Sequence, residues 1–310
     1  MTFLKPTLFL IILVMLSGCG TNGYNNDTNN TDRNSGNSQS AKYDIYFCSY
    51  IGIGSNDSRA GIYGLNRGMS EPIKIIDLSG KIIDSCAVAK NGNIYWGDRR
   101  EKAIFKSNLR GGNVRKIVSG LDIPYRGLVI DEKRQRLYWS NWLQKNKPQS
   151  GEIGYSDLNG NNKKTISLDL KSGGYLAIDY TYDKLYVSDL FGDKIIKIDM
   201  NSNDIERIIS TDRPNQLAID SIHGQLFWYD KEAKKLMSKD LSENNADKIF
   251  DASQGIHNIT EMAYDKKTNS LLLIIAKNFE QNLYRYNLNN KHKTFITNVP
   301  LEITGLVIVK

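Results

Sequence analysis

YWGD at residues 95–98, YWSN at 138–141, YVSD at 186–189 and FWYD at 227–230 repeat one aromatic-rich tetrad, with spacings of 43, 48 and 41 from last residue to last residue. Self-similarity at a period of ~40–50 residues marks a stack of equivalent units and falls in the range of propeller blades. Hydrophobic runs ending in Asp recur on the same frame: GLVID at 127–131, LAID at 176–179 and 217–220, and MAYD at 262–265. In each case a Leu follows six residues after the Asp, at Leu137, Leu185, Leu226 and Leu271. After the tetrads come further alternating runs, such as AIFKSNL at 103–109 and KLMSKDL at 235–241, closed by polar turns such as RGGN at 110–113 and NGNN at 159–162. Period-two alternation between Gly/Asn turns predicts short antiparallel strands, about four per unit.

Two further units are degenerate. IYFCS at 45–49 takes the tetrad place in the first, which lacks a leading strand; ITGLVIV at 303–309 supplies it, nearly repeating YRGLVID at 125–131. The chain is therefore expected to close its ring by giving its last strand to blade one, which pairs an edge that would otherwise be open. The expectation is an all-β, six-bladed propeller over residues 43–310, with about 45 residues per blade.

The tetrads, the preceding strand and the D-L-x-G turn resemble the YWTD repeats of six-bladed propellers in low-density-lipoprotein-receptor-type proteins and related bacterial proteins. The resemblance covers nearly all of residues 43–310, and it implies the fold rather than a ligand. Two departures stand out: the flanking cysteine-rich modules of the receptors are absent, and LLII at 272–275 replaces the tetrad in blade six. In a twisted blade the aromatic rings fill the wedge between neighbouring sheets, each burying roughly 150–250 Å². The residue closing the tetrad sits where the strand ends and is placed to accept backbone N–H groups. Asp98, Asn141, Asp189 and Asp230 are accordingly expected to be structural staples.

The N-terminus carries a second signal. Lys5 precedes an apolar stretch at residues 8–16 that ends in LSGC at 16–19. The stretch is too short to span a bilayer and has the proportions of a signal-peptide core. LSGC resembles the bacterial lipobox, which implies a signal peptide over residues 1–18, lipidation at Cys19, and anchorage in the cell membrane or the outer membrane. Residues 19–42 are rich in Asn, Ser, Thr and Gly, a composition that cannot bury enough surface to fold and suits a tether. Its residues 20–42 would span roughly 25–30 Å as a coil. Cys48 and Cys86 fall on adjacent blades, where either a disulfide or two buried thiols is compatible with the sequence.

The whole chain holds 41 Lys and Arg against 34 Asp and Glu, for a net charge of +7, which falls to +6 without the signal segment. These charges are dispersed over turns, whereas a nucleic-acid binder concentrates them in one patch. The three histidines are scattered and no zinc-type spacing occurs, so no nucleic acid, cofactor or tightly held metal is expected.

In a propeller the loops entering the innermost strands, and those leaving the second strands, form one face. The repeat frame assigns Asp84, Tyr125, Arg126, Tyr175, Asn215, Gln216, Glu261 and Glu302 to the first set. Arg99, Arg100, Trp142 and Phe191 belong to the second. Aromatics beside Arg and carboxylates suit recognition. The expected function is a monomeric, non-enzymatic binding module for an envelope protein, peptide or glycan, tethered to a membrane through its lipid. The alternative is a calcium-dependent lactonase-like hydrolase, since such enzymes also use six-bladed propellers and hold their ion with carboxylates and amides at the channel mouth.

Overall fold

A computed structural model describes residues 43–49, 59–121, 124–141, 151–242, 247–249, 258–278, 280–299 and 302–309. The signal segment, Cys19 and the 19–42 tether lie outside the described residues, as do Trp142 and the side chain of Tyr125.

Six antiparallel sheets of four strands each make the propeller. Its innermost strands are Ile303–Ile308, Ile83–Val88, Pro124–Asp131, Leu176–Asp179, Pro214–Asp220 and Ile259–Asp265, for blades one to six in that order. Neighbouring inner strands touch all the way round, including Ile303–Ile308 against both Ile83–Val88 and Ile259–Asp265, so the ring is closed. The closing strand pairs with Ile45–Ser49, Ile45 opposite Ile308 and Ser49 opposite Ile303. The expected closure is therefore present, and the chain enters the propeller at the end of blade one away from Ile303.

The hydrophobic core is not central. It is divided into six clusters, each shared by two adjacent blades. Successive side chains of a strand point to opposite faces, and this explains why the tetrad begins with two bulky residues. The first packs onto the following blade and the second onto the preceding one. Tyr95 joins the cluster shared with blade three and Trp96 the one shared with blade one. Tyr138 faces blade four and Trp139 faces blade two. Phe227 faces blade six and Trp228 faces blade four. Leu272 and Leu273 repeat the arrangement in blade six without aromatic rings. One glycine is required by this packing: a Cβ on Gly154 would lie 2.3 Å from the ring of Trp139, which crosses the neighbouring strand there.

The last residue of the tetrad organises the blade end. Asp189 accepts hydrogen bonds from the backbone N–H groups of Lys171, Ser172 and Gly192 at 2.9–3.0 Å, joining blade four to the segment that arrives from blade three. Asp98 accepts from the Arg100 and Glu101 amides. Asp230 accepts from the Ala233 amide and the Thr211 hydroxyl. Asn141 differs, donating its side-chain amide to Glu152 Oε1 at 2.6 Å. Cys48 and Cys86 are free, buried thiols on either side of Gly305.

Candidate functional site

The inner strands do not run regularly into the tetrad end of the ring. Pairing with the second strand shifts register at Ile83/Ser85, Tyr125/Leu128, Pro214/Leu217, Ile259/Glu261 and, in blade one, at Cys48/Ser49. Such a bulge inserts an extra residue and re-aims its side chain. The residues displaced are Asp84, Arg126, Gly127, Asn215, Gln216, Thr260 and Thr304, and all but Gly127 join Glu261 in lining a cavity of about 570 Å³ at the channel mouth. In the register of the repeat, Tyr175, Gln216 and Glu261 occupy one position in blades four, five and six, where blades one, two and three carry Gly305, Ser85 and Gly127. Small residues thus fill this position in one half of the ring, and large polar side chains fill it in the other.

They meet at the Tyr175 hydroxyl. It donates to Glu261 Oε1 at 3.0 Å and accepts from Gln216 Nε2 and Arg126 Nη1, each at 3.2 Å. The Arg126 guanidinium also lies over the Tyr175 ring, 6.0 Å from its centroid. Gln216 Nε2 donates in addition to the Thr260 carbonyl. Gln216 is 1% exposed, yet its Oε1 has no hydrogen-bond partner among the described residues. A buried amide acceptor left unpaired costs ~1–3 kcal/mol, and the atom belongs to a residue lining the mouth. Arg126 and Glu261 line both the mouth and a second cavity of about 460 Å³ along the bore, so this cluster stands where mouth passes into bore.

Charge at the mouth is predominantly positive. Burial pushes the Glu261 carboxyl up to about 8, with Arg126 and the Tyr175 hydroxyl pulling the other way, so the group is largely protonated at neutral pH. Asp84, 2% exposed, receives the Arg99 fork: Nε donates to Oδ2 at 2.7 Å and Nη2 to Oδ1. Burial raises its carboxyl above the usual range while Arg99 draws it back. Lys231 and Lys234, exposed on the turn after the blade-five tetrad, also line the mouth, and no salt bridge joins either ammonium to a described acidic residue. Partial loss of hydration, with Arg126 and Arg213 alongside, holds the Lys231 ammonium below the usual lysine range.

The mouth therefore gathers Asp84, Arg99, Arg126, Asn215, Gln216, Glu261 and Glu302, with Tyr175 at its floor. Arg100 is exposed and turned away, donating to the Gly80 carbonyl. Phe191 is half-buried under Arg213, whose guanidinium is 5.9 Å from the ring centroid, and it does not line the cavity. Lys231 and Lys234 were not among the residues picked from the sequence. The signal was present, because Lys231 follows Asp230 as Arg99 follows Asp98, but KEAKK at 231–235 reads as an ordinary solvated turn. Among the described residues no three or more His, Cys, Asp or Glu side chains converge as metal ligands.

Known structures share this architecture. A chain of the nidogen–laminin complex superposes with a TM-score of 0.71 at 18% identity, covering 86% of this chain and 98% of that one. TolB from Acinetobacter baumannii gives 0.67 at 12% identity, covering 84% of this chain and 66% of its own. A gluconolactonase of Xanthomonas campestris gives 0.56 at 13% identity, covering 73% and 78%. At such identities the likeness defines the class of protein, a six-bladed β-propeller, and nothing finer. No family model matches the chain.

Proposed function

We propose that the protein is an exported, lipid-anchored propeller that binds a partner at its channel mouth and carries out no chemistry there. One observation carries the reading: a cavity of about 570 Å³ lined by Gln216, whose buried side-chain oxygen, Oε1, has no hydrogen-bond partner among the described residues. Rigid inner strands position this group, and a ligand N–H or O–H would complete it. The acids that a calcium-dependent hydrolase would use to hold its ion are differently engaged. Asp84 is held by the Arg99 fork, and Glu261 Oε1 accepts from the Tyr175 hydroxyl. Anchorage rests on LSGC at 16–19, with Cys19 as the lipidated residue. The described chain enters the ring at the end away from the mouth.

Capture from a detergent-solubilised envelope fraction tests the reading. The wild-type chain retains a partner that the double variant Lys231→Glu, Lys234→Glu loses by at least ~10-fold, as expected when paired charge contacts at an interface are reversed. Both lysines are exposed, so the fold persists. Equal capture by the two proteins would remove the mouth from the binding surface.

A further inference from the structure

The kind of group that fits the mouth follows from what its walls lack. We propose that the mouth receives an acidic side chain of a partner polypeptide, a carboxylate held by Arg126 and Lys231 while a backbone N–H of the same segment donates to Gln216 Oε1. The inference rests on the reading of the mouth as the binding face and narrows it to one chemistry.

Four cationic side chains, Arg99, Arg126, Lys231 and Lys234, line the cavity against the carboxylates of Asp84 and Glu302. Asp84 lies within the fork of Arg99, so that pair is internally neutral. Glu261, the remaining acid, is buried and adds little negative charge at neutral pH. The cavity is thus electropositive, with Arg126 the cation at its floor, an arrangement that favours an entering anion. Arg126 has the planar geometry that matches a carboxylate, and the backbone carrying it is in the left-handed region at φ 42°. A non-glycine residue in that conformation is uncommon, and here it coincides with the bulge that turns the side chain toward the channel.

Position selects the second part of the ligand. Gln216 Oε1 is an acceptor and cannot be satisfied by a bare anion, so the ligand carries a donor close to its carboxylate. Peptide backbone beside an Asp or Glu side chain supplies both. An acidic sugar has the same two groups, but sugar rings are commonly gripped by stacking on an exposed aromatic face. Tyr229, the aromatic residue among the described lining, is 2% exposed and its hydroxyl accepts from the Asn258 backbone N–H at 3.0 Å. The amides of Asn215 and Asn258 instead offer donors and acceptors suited to a peptide chain.

The test uses the full chain and three panels of capped nonapeptides with randomised flanks, bearing at the centre Asp or Glu, Asn or Gln, or Lys. Oligogalacturonate serves as the acidic-sugar probe. Retention of the acidic panel at least ~10-fold over the amide panel is expected, falling steeply as salt rises from 50 to 200 mM because exposed charges are screened. Lys231→Gln with Lys234→Gln should weaken that retention ~10-fold. Arg126→Lys, which keeps the charge and loses the fork, should weaken it several-fold. Equal retention of acidic and amide panels, or preference for the Lys panel, overturns the inference. So does retention of oligogalacturonate in place of every peptide. If the envelope partner is still captured through the mouth while no acidic preference exists, the binding face stands and its proposed chemistry falls. If Lys231→Glu, Lys234→Glu leaves capture unchanged, both fall.

Discussion

Truncation after residue 302 is expected to abolish cooperative folding. The eight residues removed include Ile303–Ile308, the inner strand of blade one, and their loss strips the backbone partner from Ile45–Ser49. It also removes the hydrogen bond from the Thr304 hydroxyl to the Ile83 carbonyl, 2.7 Å, and that from the Ile303 amide to Gln281 Oε1, 2.9 Å. These bonds link the closing strand to blades two and six, so the ring would open at both sides. Each interface cluster is shared by two blades, and a gap exposes Cys48 and Tyr46 on one side and Phe47 and Leu272 on the other. Full burial of one such side chain contributes ~1.5–3 kcal/mol, and several are lost together against a typical net stability of ~5–15 kcal/mol. Near-ultraviolet circular dichroism should collapse and the thermal transition lose its sigmoidal form. A truncated chain that melts within a few degrees of the intact one would show that the strand is not the closure.

The second large effect concerns Glu261 and pH. Its carboxyl titrates at about 8 in the folded chain, against an ordinary value of 4.5, because burial penalises the charged form. Between those values the folded state holds a proton that the unfolded state has released. The linkage relation then requires stability to fall as pH rises, with the group's contribution fully present below about 4.5 and lost once pH passes about 8. Glu261→Gln removes the titrating proton while keeping an amide oxygen able to accept from the Tyr175 hydroxyl. The variant should gain on the order of a few kcal/mol relative to wild type at pH 8.5, and little at pH 4.5. Chemical denaturation at the two pH values measures this directly. A variant equally or less stable at pH 8.5 would mean that the carboxylate is well solvated or paired.

Architecture was legible because the repeat is enforced by geometry. Alternation across a strand obliges Tyr95 and Trp96 to serve opposite neighbours, and the same obligation falls on the corresponding pairs in the other blades, so the pattern recurs in the letters. Leu272 and Leu273 keep it in blade six with different chemistry, which is why the tetrad disappears there while the blade does not. The mouth was legible in part. Repeat register brings Asp84, Arg126, Gln216 and Glu261 to one end of the channel, and they line one cavity. Register does not say which way a turn residue points. Arg99 bends inward to Asp84, whereas Arg100, one residue on, bonds to Gly80 at the periphery. Neither the meeting of three side chains at the Tyr175 hydroxyl nor the protonation of Glu261 has a sequence signature, because both depend on distances across the ring between residues 41 to 86 apart in the chain.

Site-specific photocrosslinking in intact cells tests the claim that the mouth is the binding surface. A benzophenone side chain is placed at position 234, on the rim of the mouth, or at position 266, which lines the bore cavity. Position 266 belongs to the turn after Ile259–Asp265, at the other end of that inner strand from the bulge. Binding at the mouth predicts a discrete crosslinked species from position 234, abolished by Lys231→Glu, and none from position 266. Crosslinks from position 266 with none from position 234 would contradict it.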